Sequence, residues 1–314
     1  MRSIRGLLEH AAVTAAIFVV APLALAGSAH PTDADAALRM LADEGREAGW
    51  TFDVSRSSLG AMPLDMDTGF RRGPDWRSRA PFVPMRNVHG DPLPAHLDWR
   101  EKGVVGPIRD QAQPVYCGSC WAHGTTAAFE SAIAIKTGRL PDVSPQQLVS
   151  CSPSYGTCGG GDFAFGFYQQ KGANYETDFP YTARNSACAN NAAQHEKAAD
   201  WGYVGDSNRE PTTEELKRAI MTYGPIAVTV SSSPSWRAYA GGVYNACDSQ
   251  SINHIVALVG WDDADQAWIV KNSHGTVWGE QGFMRSKYVD SRGRKCNGIG
   301  ESAAFVVYTP SLAD

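Results

Sequence analysis

Seven cysteines, all beyond residue 116, constrain this chain more than any other feature: Cys117, Cys120, Cys151, Cys158, Cys188, Cys247 and Cys296. An odd set leaves at least one thiol over when the others pair. Pairing depends on compartment, because disulfides form and persist in oxidising surroundings. The alternative is a metal site, since Cys117 and Cys120 make a CxxC. No second CxxC and no His-x-x-x-His follows at zinc spacing, so no metal is expected.

The first residues speak to the compartment. Arg2 and Arg5 give a positive start, an apolar stretch runs from Ala11 to Ala26, and Ala24-Leu25-Ala26 offers small residues for cleavage. Residues 1–26 are therefore expected to be an export signal, placing the protein in the extracellular or periplasmic space. An uncleaved anchor is the alternative. Pro22 interrupts the stretch, which is already marginal for a span of about 20 residues, so no stable membrane span is expected. The chain has 314 residues, 43% hydrophobic and 19% charged, enough to build one large or two small domains. Its formal net charge of −5 argues against nucleic acid as a partner.

Residues 27–92 contain no cysteine and differ in character from the chain beyond them. Asp33 to Glu47 has the pattern of a short acidic amphipathic helix, followed by an irregular stretch with Arg71-Arg72-Gly73-Pro74. This segment reads as a pro-segment or a linker. From Leu93 onward Trp, Gly and Cys become dense. Cys120–Thr137 is expected to be helical: Ser119 can cap its start and Gly138 stops it. Ile226–Val230, Ile255–Val259, Ala267–Val270 and Ala303–Tyr308 read as strands, and Glu214–Thr222 as one more helix. Helices early and strands late suggest an α+β protein with two subdomains.

Cys120 lies within Gln111-Ala112-Gln113-Pro114-Val115-Tyr116-Cys117-Gly118-Ser119-Cys120-Trp121, with His254 and Asn272 following 134 and 152 residues later. A thiolate at a helix N-terminus is stabilised by the positive end of the macrodipole and by a nearby imidazolium. His254 would donate a proton to a leaving amine and then activate water. Asn272 would fix the imidazole's tautomer and orientation. Gln111 would donate an N–H to the developing oxyanion, alongside the backbone N–H of Cys120. His123 and His274 are the rival bases. His254 is preferred because it enters a strand, where a side chain is rigidly held.

Cys-Gly-Ser-Cys-Trp and its partners resemble the papain-like cysteine peptidases. The likeness runs over about 93–310: Leu93 to Arg100, Cys158-Gly159-Gly160-Gly161, Phe179-Pro180-Tyr181, Gly224-Pro225-Ile226, Tyr239 to Tyr244, Trp268 to Ser273, and Trp278-Gly279-Glu280-Gln281-Gly282. The resemblance implies a papain-like two-subdomain fold across 93–314. A helical subdomain (about 112–205) and a β-barrel-like subdomain (about 206–314) would face each other across a cleft. It implies three disulfides, Cys117–Cys158, Cys151–Cys188 and Cys247–Cys296, with Cys120 left as the nucleophile. Gly160 and Gly161 would pair with the backbone of an extended substrate. Asn253, Trp278 and Glu301 would also face substrate, with Glu301 either at the base of the S2 pocket, where an acid would favour arginine at P2, or a solvated loop glutamate. Residues 27–92 would be an inhibitory pro-segment crossing the cleft. The implied partners are peptide or protein substrates and this pro-segment, with no cofactor and a monomeric state.

Two departures bear on the kind of peptidase. Gln111 precedes Cys120 by nine residues where the family has six, as in the cathepsin X branch, so Gln113 competes for its role. That branch trims C-termini with the help of a loop histidine, which Ala112-Gln113-Pro114 lacks. An endopeptidase is therefore expected, with a carboxypeptidase as the alternative. His274 stands where the family has tryptophan. It is expected either to leave the Asn272–His254 bond wetter and to gain charge at acid pH, or to be a harmless surface replacement with Trp278 still covering that bond. The rival from another class is an inactive homologue that only binds peptides or partners.

Overall fold

Apolar β-branched runs in the second half of the chain pair into one large sheet, and most of the helices of the first half pack in a separate core. The computed structural model describes residues 31–55, 68–85, 91–188, 194–248 and 251–310. The expected export signal lies outside them. No helix among the described residues is long and apolar enough to cross a membrane.

The longer helices are α1 (Pro31–Ala48), α2 (Cys120–Thr137), α3 (Pro145–Cys151), α4 (Phe165–Lys171) and α5 (Thr213–Tyr223). The strands are β1 (Phe52–Val54), β2 (Phe82–Val83), β3 (His96–Asp98), β4 (Gly156–Thr157), β5 (Gly160–Gly161), β6 (Ala198–Val204), β7 (Ile226–Val230), β8 (Tyr239–Tyr244), β9 (His254–Asp262), β10 (Ala267–Lys271), β11 (Phe283–Lys287) and β12 (Ala303–Tyr308). The large sheet runs β1-β8-β11-β10-β9-β7-β12-β6-β2, with β3 beside β9, and β4 and β5 form a small ribbon. β7, β9 and β10 are continuous apolar runs because they are buried almost throughout.

Two cores flank a cleft. One gathers Trp121, Phe129, Leu148, Phe165 and Tyr168 from the helical part. The other gathers Trp236, Tyr239, Tyr244, Trp261, Trp268 and Trp278 from the sheet. A small cluster of Ala127, Ala257, Val259 and Ile269 joins α2 to β9 and β10. The α2 helix ends at Gly138, whose φ of 71° and N–H to the Ala134 carbonyl make the stop. Its start differs from expectation. Ser119 sits at the cap position but makes no side-chain cap. Its hydroxyl is instead 2.6 Å from the Tyr181 hydroxyl, which donates to the Gln111 carbonyl at 3.0 Å. Tyr181 thus competes successfully for the capping group.

The segment ahead of residue 93 is docked on this body. β1 pairs antiparallel with β8, with Phe52 opposite Gly242. Trp50 stacks on Phe52 at 4.7 Å, and Phe52 meets Tyr244 at 4.6 Å. β2 adds a parallel strand beside β6. Between these two attachments, residues 68–72 lie in the cleft.

Candidate active site

Cys120 is the first residue of α2 and is buried. Three disulfides, Cys117–Cys158, Cys151–Cys188 and Cys247–Cys296, engage the other six cysteines. Cys117–Cys158 ties the start of α2 to the loop before β5, and Gly118 N–H adds a bond to the Cys158 carbonyl at 2.8 Å. The first turn of α2 packs directly on β9. A Cβ on Gly124 would fall 2.5 Å from Ile255 Cγ2, so only glycine lets the helix approach the residue beside His254 this closely.

His254 opens β9, and Asn272 directly follows β10, its antiparallel neighbour. His254 Nε2 lies 2.8 Å from Asn272 Oδ1. That oxygen also accepts from Ser273 N–H at 2.8 Å, which fixes the amide orientation. His254 Nε2 is therefore the donor, and its Nδ1 is the atom left for proton exchange with a nucleophile. Asn272 Nδ2 donates in turn to His274 Nδ1 at 3.1 Å. His274 must then be neutral, with its proton on Nε2.

The expected behaviour of His274 is corrected here. It is buried, and its pKa is held well below the ordinary imidazole value, first by burial and then by the charges of His254 and Arg237. It shields the Asn272–His254 bond, with its ring 5.0 Å from His254 and edge-on to Trp278 at 5.7 Å. Trp278 is itself fully buried. It donates its indole N–H to the Arg237 carbonyl at 3.1 Å and packs on Trp236 and Tyr239. Its expected place on the substrate-facing surface is corrected accordingly: it supports His274 from the core. His123 is also buried, with Nδ1 3.0 Å from the Ser119 carbonyl on its own helix, and burial lowers its pKa to about 3.

Gln111, and not Gln113, reaches the site. Gln113 is exposed. Gln111 is fully buried and accepts at Oε1 from Ser273 Oγ at 2.8 Å. Its Nε2 donates to the Cys117 carbonyl at 3.2 Å and to the Thr68 carbonyl at 3.1 Å. The latter belongs to the segment ahead of residue 93.

That segment fills the cleft between Thr68 and Arg72. Phe70 N–H and Thr68 Oγ1 both donate to the Asn253 carbonyl, at 3.0 and 2.7 Å. Gly161 N–H donates to the Gly69 carbonyl at 2.8 Å, and Arg71 N–H donates to the Gly161 carbonyl at 2.9 Å. Phe70 and Gly161 thus pair in parallel. Gly69 has a φ of 104°, and a Cβ there would sit 2.1 Å from the Gly118 oxygen. A Cβ on Gly160 would fall 2.7 Å from the Gly69 oxygen. The glycines on both sides let backbone approach backbone beside Cys120.

Phe70 looks into a depression shared with Thr229, Ile252, Glu301 and Ser302. Burial raises the Glu301 pKa, Glu210 adds to the rise, and Lys295 and Arg77 oppose it. Glu301 also borders a second depression with Glu210 and Lys295, on whose side much of its electrostatic coupling lies.

The papain family cysteine protease model matches residues 93–307. A cathepsin L-like peptidase of Aedes aegypti is 37% identical over 235 residues, covering 71% of this chain and 66% of its own length. The chain thus spans slightly less than two thirds of that curated relative. The structure of digestive procathepsin L 3 from the Tenebrio molitor larval midgut superposes with a TM-score of 0.71 at 29% identity, covering 88% of this chain and 89% of that one. The Carica candamarcensis cysteine protease CMS1MS2, solved in complex with E-64, gives 0.64 at 29% identity, with 69% of this chain covered. The procathepsin superposes over more of the chain, in keeping with the segment ahead of residue 93 being part of the same architecture. By its sequence matched over residues 93–307 and its two-core fold, the chain belongs to the papain family of cysteine proteases.

Proposed function

We propose that this protein is a cysteine peptidase made as a zymogen, with Cys120 as nucleophile and the segment 27–92 as its own inhibitor. The observation that carries the reading is the occupied cleft. Thr68 places a carbonyl on Gln111 Nε2, the donor a tetrahedral oxyanion would need, while Gly69 and Phe70 bond the two walls beside Cys120. An extended chain with carbonyls on the oxyanion donor and on Gly161 behaves like a substrate in its contacts. It pairs with Gly161 in parallel. A chain of that polarity does not present its peptide bond to the thiol as the antiparallel substrate would, so it is held without being cut.

In the mature enzyme, the Cys120 thiolate at the head of α2 would attack the scissile carbonyl. The helix N-terminus stabilises the thiolate. The His254 imidazolium, held by Asn272 through Nε2, would give the Nδ1 proton to the leaving amine as the thioester forms. Neutral His254 would then take a proton from water as the thioester is hydrolysed. Gln111 and the Cys120 N–H would hold the oxyanion in both steps.

Endopeptidase action is favoured by the loop ahead of Cys120. A C-terminal trimming enzyme would need a group that recognises the terminal carboxylate. The loop Ala112-Gln113-Pro114 carries no basic residue for it. Export is supported by the three disulfides, which need an oxidising compartment.

The test is digestion of a long peptide by the matured protein, read by mass spectrometry. Internal cuts lost in Cys120→Ala are expected. A ladder from the C-terminus would replace the endopeptidase reading, and no cleavage would leave a peptide-binding homologue.

A further inference from the structure

Arg72, at the end of the strap, is held by a group the proposed chemistry does not use. Its guanidinium makes a two-point contact to both carboxylate oxygens of Asp162, and its side chain is only 7% exposed. Aromatic faces surround it: Trp76 at 4.1 Å, Phe70 at 5.0 Å, Phe163 at 5.2 Å and Tyr203 at 5.5 Å. A planar guanidinium suits such a place, pairing in its plane with a carboxylate and stacking on rings above and below.

The cradle divides cleanly between the two parts of the chain. Trp76 and Phe70 leave with the pro-segment. Asp162, Phe163 and Tyr203 remain, with Phe163 and Tyr203 5.7 Å apart. Asp162 is positioned by the backbone: its N–H donates to the Tyr155 carbonyl at 2.9 Å, and its Oδ1 accepts from Phe163 N–H at 2.8 Å. Among the described residues its ion-pair partner is Arg72. Maturation therefore strips the cation from a carboxylate that directly follows Gly161, the residue expected to pair with substrate.

We infer that Asp162, with Phe163 and Tyr203, forms a subsite for a substrate guanidinium, and that Arg72 is its intramolecular stand-in. This rests on the peptidase reading of the cleft. Alternate residues of an extended chain share a face, whichever way the chain runs. Phe70 lies opposite Gly161, so Arg72 occupies the place of the residue two further from Cys120. In a substrate whose P2 residue pairs with Gly161, that is P4. Arg72 and Trp76 also line the depression that Glu301 borders, but Asp162, Phe163 and Tyr203 do not, so the guanidinium is held by a carboxylate other than Glu301.

The inference is tested with peptides alike at every other position and carrying arginine or its neutral isostere citrulline at P4. The matured enzyme is expected to turn over the arginine peptide with a kcat/KM about tenfold higher, the size of a charge-assisted two-point contact at a partly exposed site. Asp162→Asn should bring that ratio to within about twofold. A wild-type ratio near one, or a ratio that survives Asp162→Asn, would overturn the subsite while leaving the peptidase reading intact. Binding keeps the two readings separable. Cys120→Ala, folded as the full chain and trimmed by an added protease, should bind the arginine peptide about tenfold more tightly in calorimetry. Equal affinities would overturn the subsite independently of turnover. Tighter arginine binding by a wild type that cleaves neither peptide would uphold the subsite and remove the peptidase reading.

Discussion

At the scale of single residues, the candidate site is a relay of side chains whose orientations are mutually fixed. Asn272 is held at both ends of its amide, by His254 and Ser273 on the oxygen and by His274 on the nitrogen. His274→Ala removes the acceptor for Asn272 Nδ2 and opens the cover, so kcat should fall about fivefold, in line with one hydrogen bond of about 1 kcal/mol. Because His274 stays neutral well below pH 6.5, His274→Trp should leave the acid limb of the pH–rate profile in place. A limb that moves by a full pH unit would show that His274 titrates during catalysis. Gln111→Ala should lower kcat by roughly a hundredfold, the usual cost of one oxyanion donor, while Gln113→Ala should change it less than twofold. Equal losses in the two variants would contradict the assignment. The place of Cys120 at the head of α2 and the pairing of His254 with Asn272 were legible in the sequence because a short local signature and two spacings carry them. The surroundings of His274 and Trp278 were not. Which ring covers which depends on side chains from β8, β9 and the turn after Asn272, and no local pattern encodes that contact.

At the scale of elements, α2 carries the site at one end and is anchored along its back by buried charge. Glu130 accepts from Arg109 at 2.9 Å and from Val143 N–H at 3.0 Å, with the buried Lys271 close by. Burial lowers the Lys271 pKa to about 8, and Glu130 opposes that fall. Glu130→Ala would leave the buried Lys271 without its main counter-charge, while Arg109 keeps Asp142 and Glu176, and should cost about 3 kcal/mol of stability in urea unfolding. The strap is the second element under constraint. Gly69→Ala combines a strained φ with a clash against the Gly118 carbonyl, worth roughly 1–3 kcal/mol. The isolated pro-segment carrying it should inhibit the mature enzyme about ten- to a hundredfold more weakly. An unchanged inhibition constant would mean the strap is not bound as described. The continuous apolar strands β7, β9, β10 and β12 and the capped helix α5 were readable from pattern. β8, with two glycines in six residues, has no alternation to read and is defined by the strands beside it. The Ser119 cap failed as an expectation because Tyr181, 62 residues away, takes the hydroxyl.

At the scale of the whole molecule, two buried histidines set the response to acid. His123 and His274 have folded-state pKa values below 6.5, that of His123 being about 3. Below pH 6.5 the unfolded chain takes up protons that the folded chain refuses, so stability falls as pH falls. Each group approaches a slope of about 1.4 kcal/mol per pH unit. In a Cys120→Ala background, His123→Phe should flatten the loss of stability between pH 6 and pH 4, read from urea midpoints. An unchanged slope would show that His123 is protonated in the folded state. The fold as a whole holds together two cores, a docked amino-terminal segment and a thiol beneath it. The central claim is that this segment screens a working Cys120, and the rate of covalent labelling by an epoxide inhibitor, located by mass spectrometry before and after removal of residues 27–92, tests it most directly. The predicted result is a single label on Cys120 that appears at least a hundredfold faster once the segment is gone and is absent from Cys120→Ala. Labelling of Cys120 at equal rates in both forms, or no labelling of the trimmed protein, would contradict it.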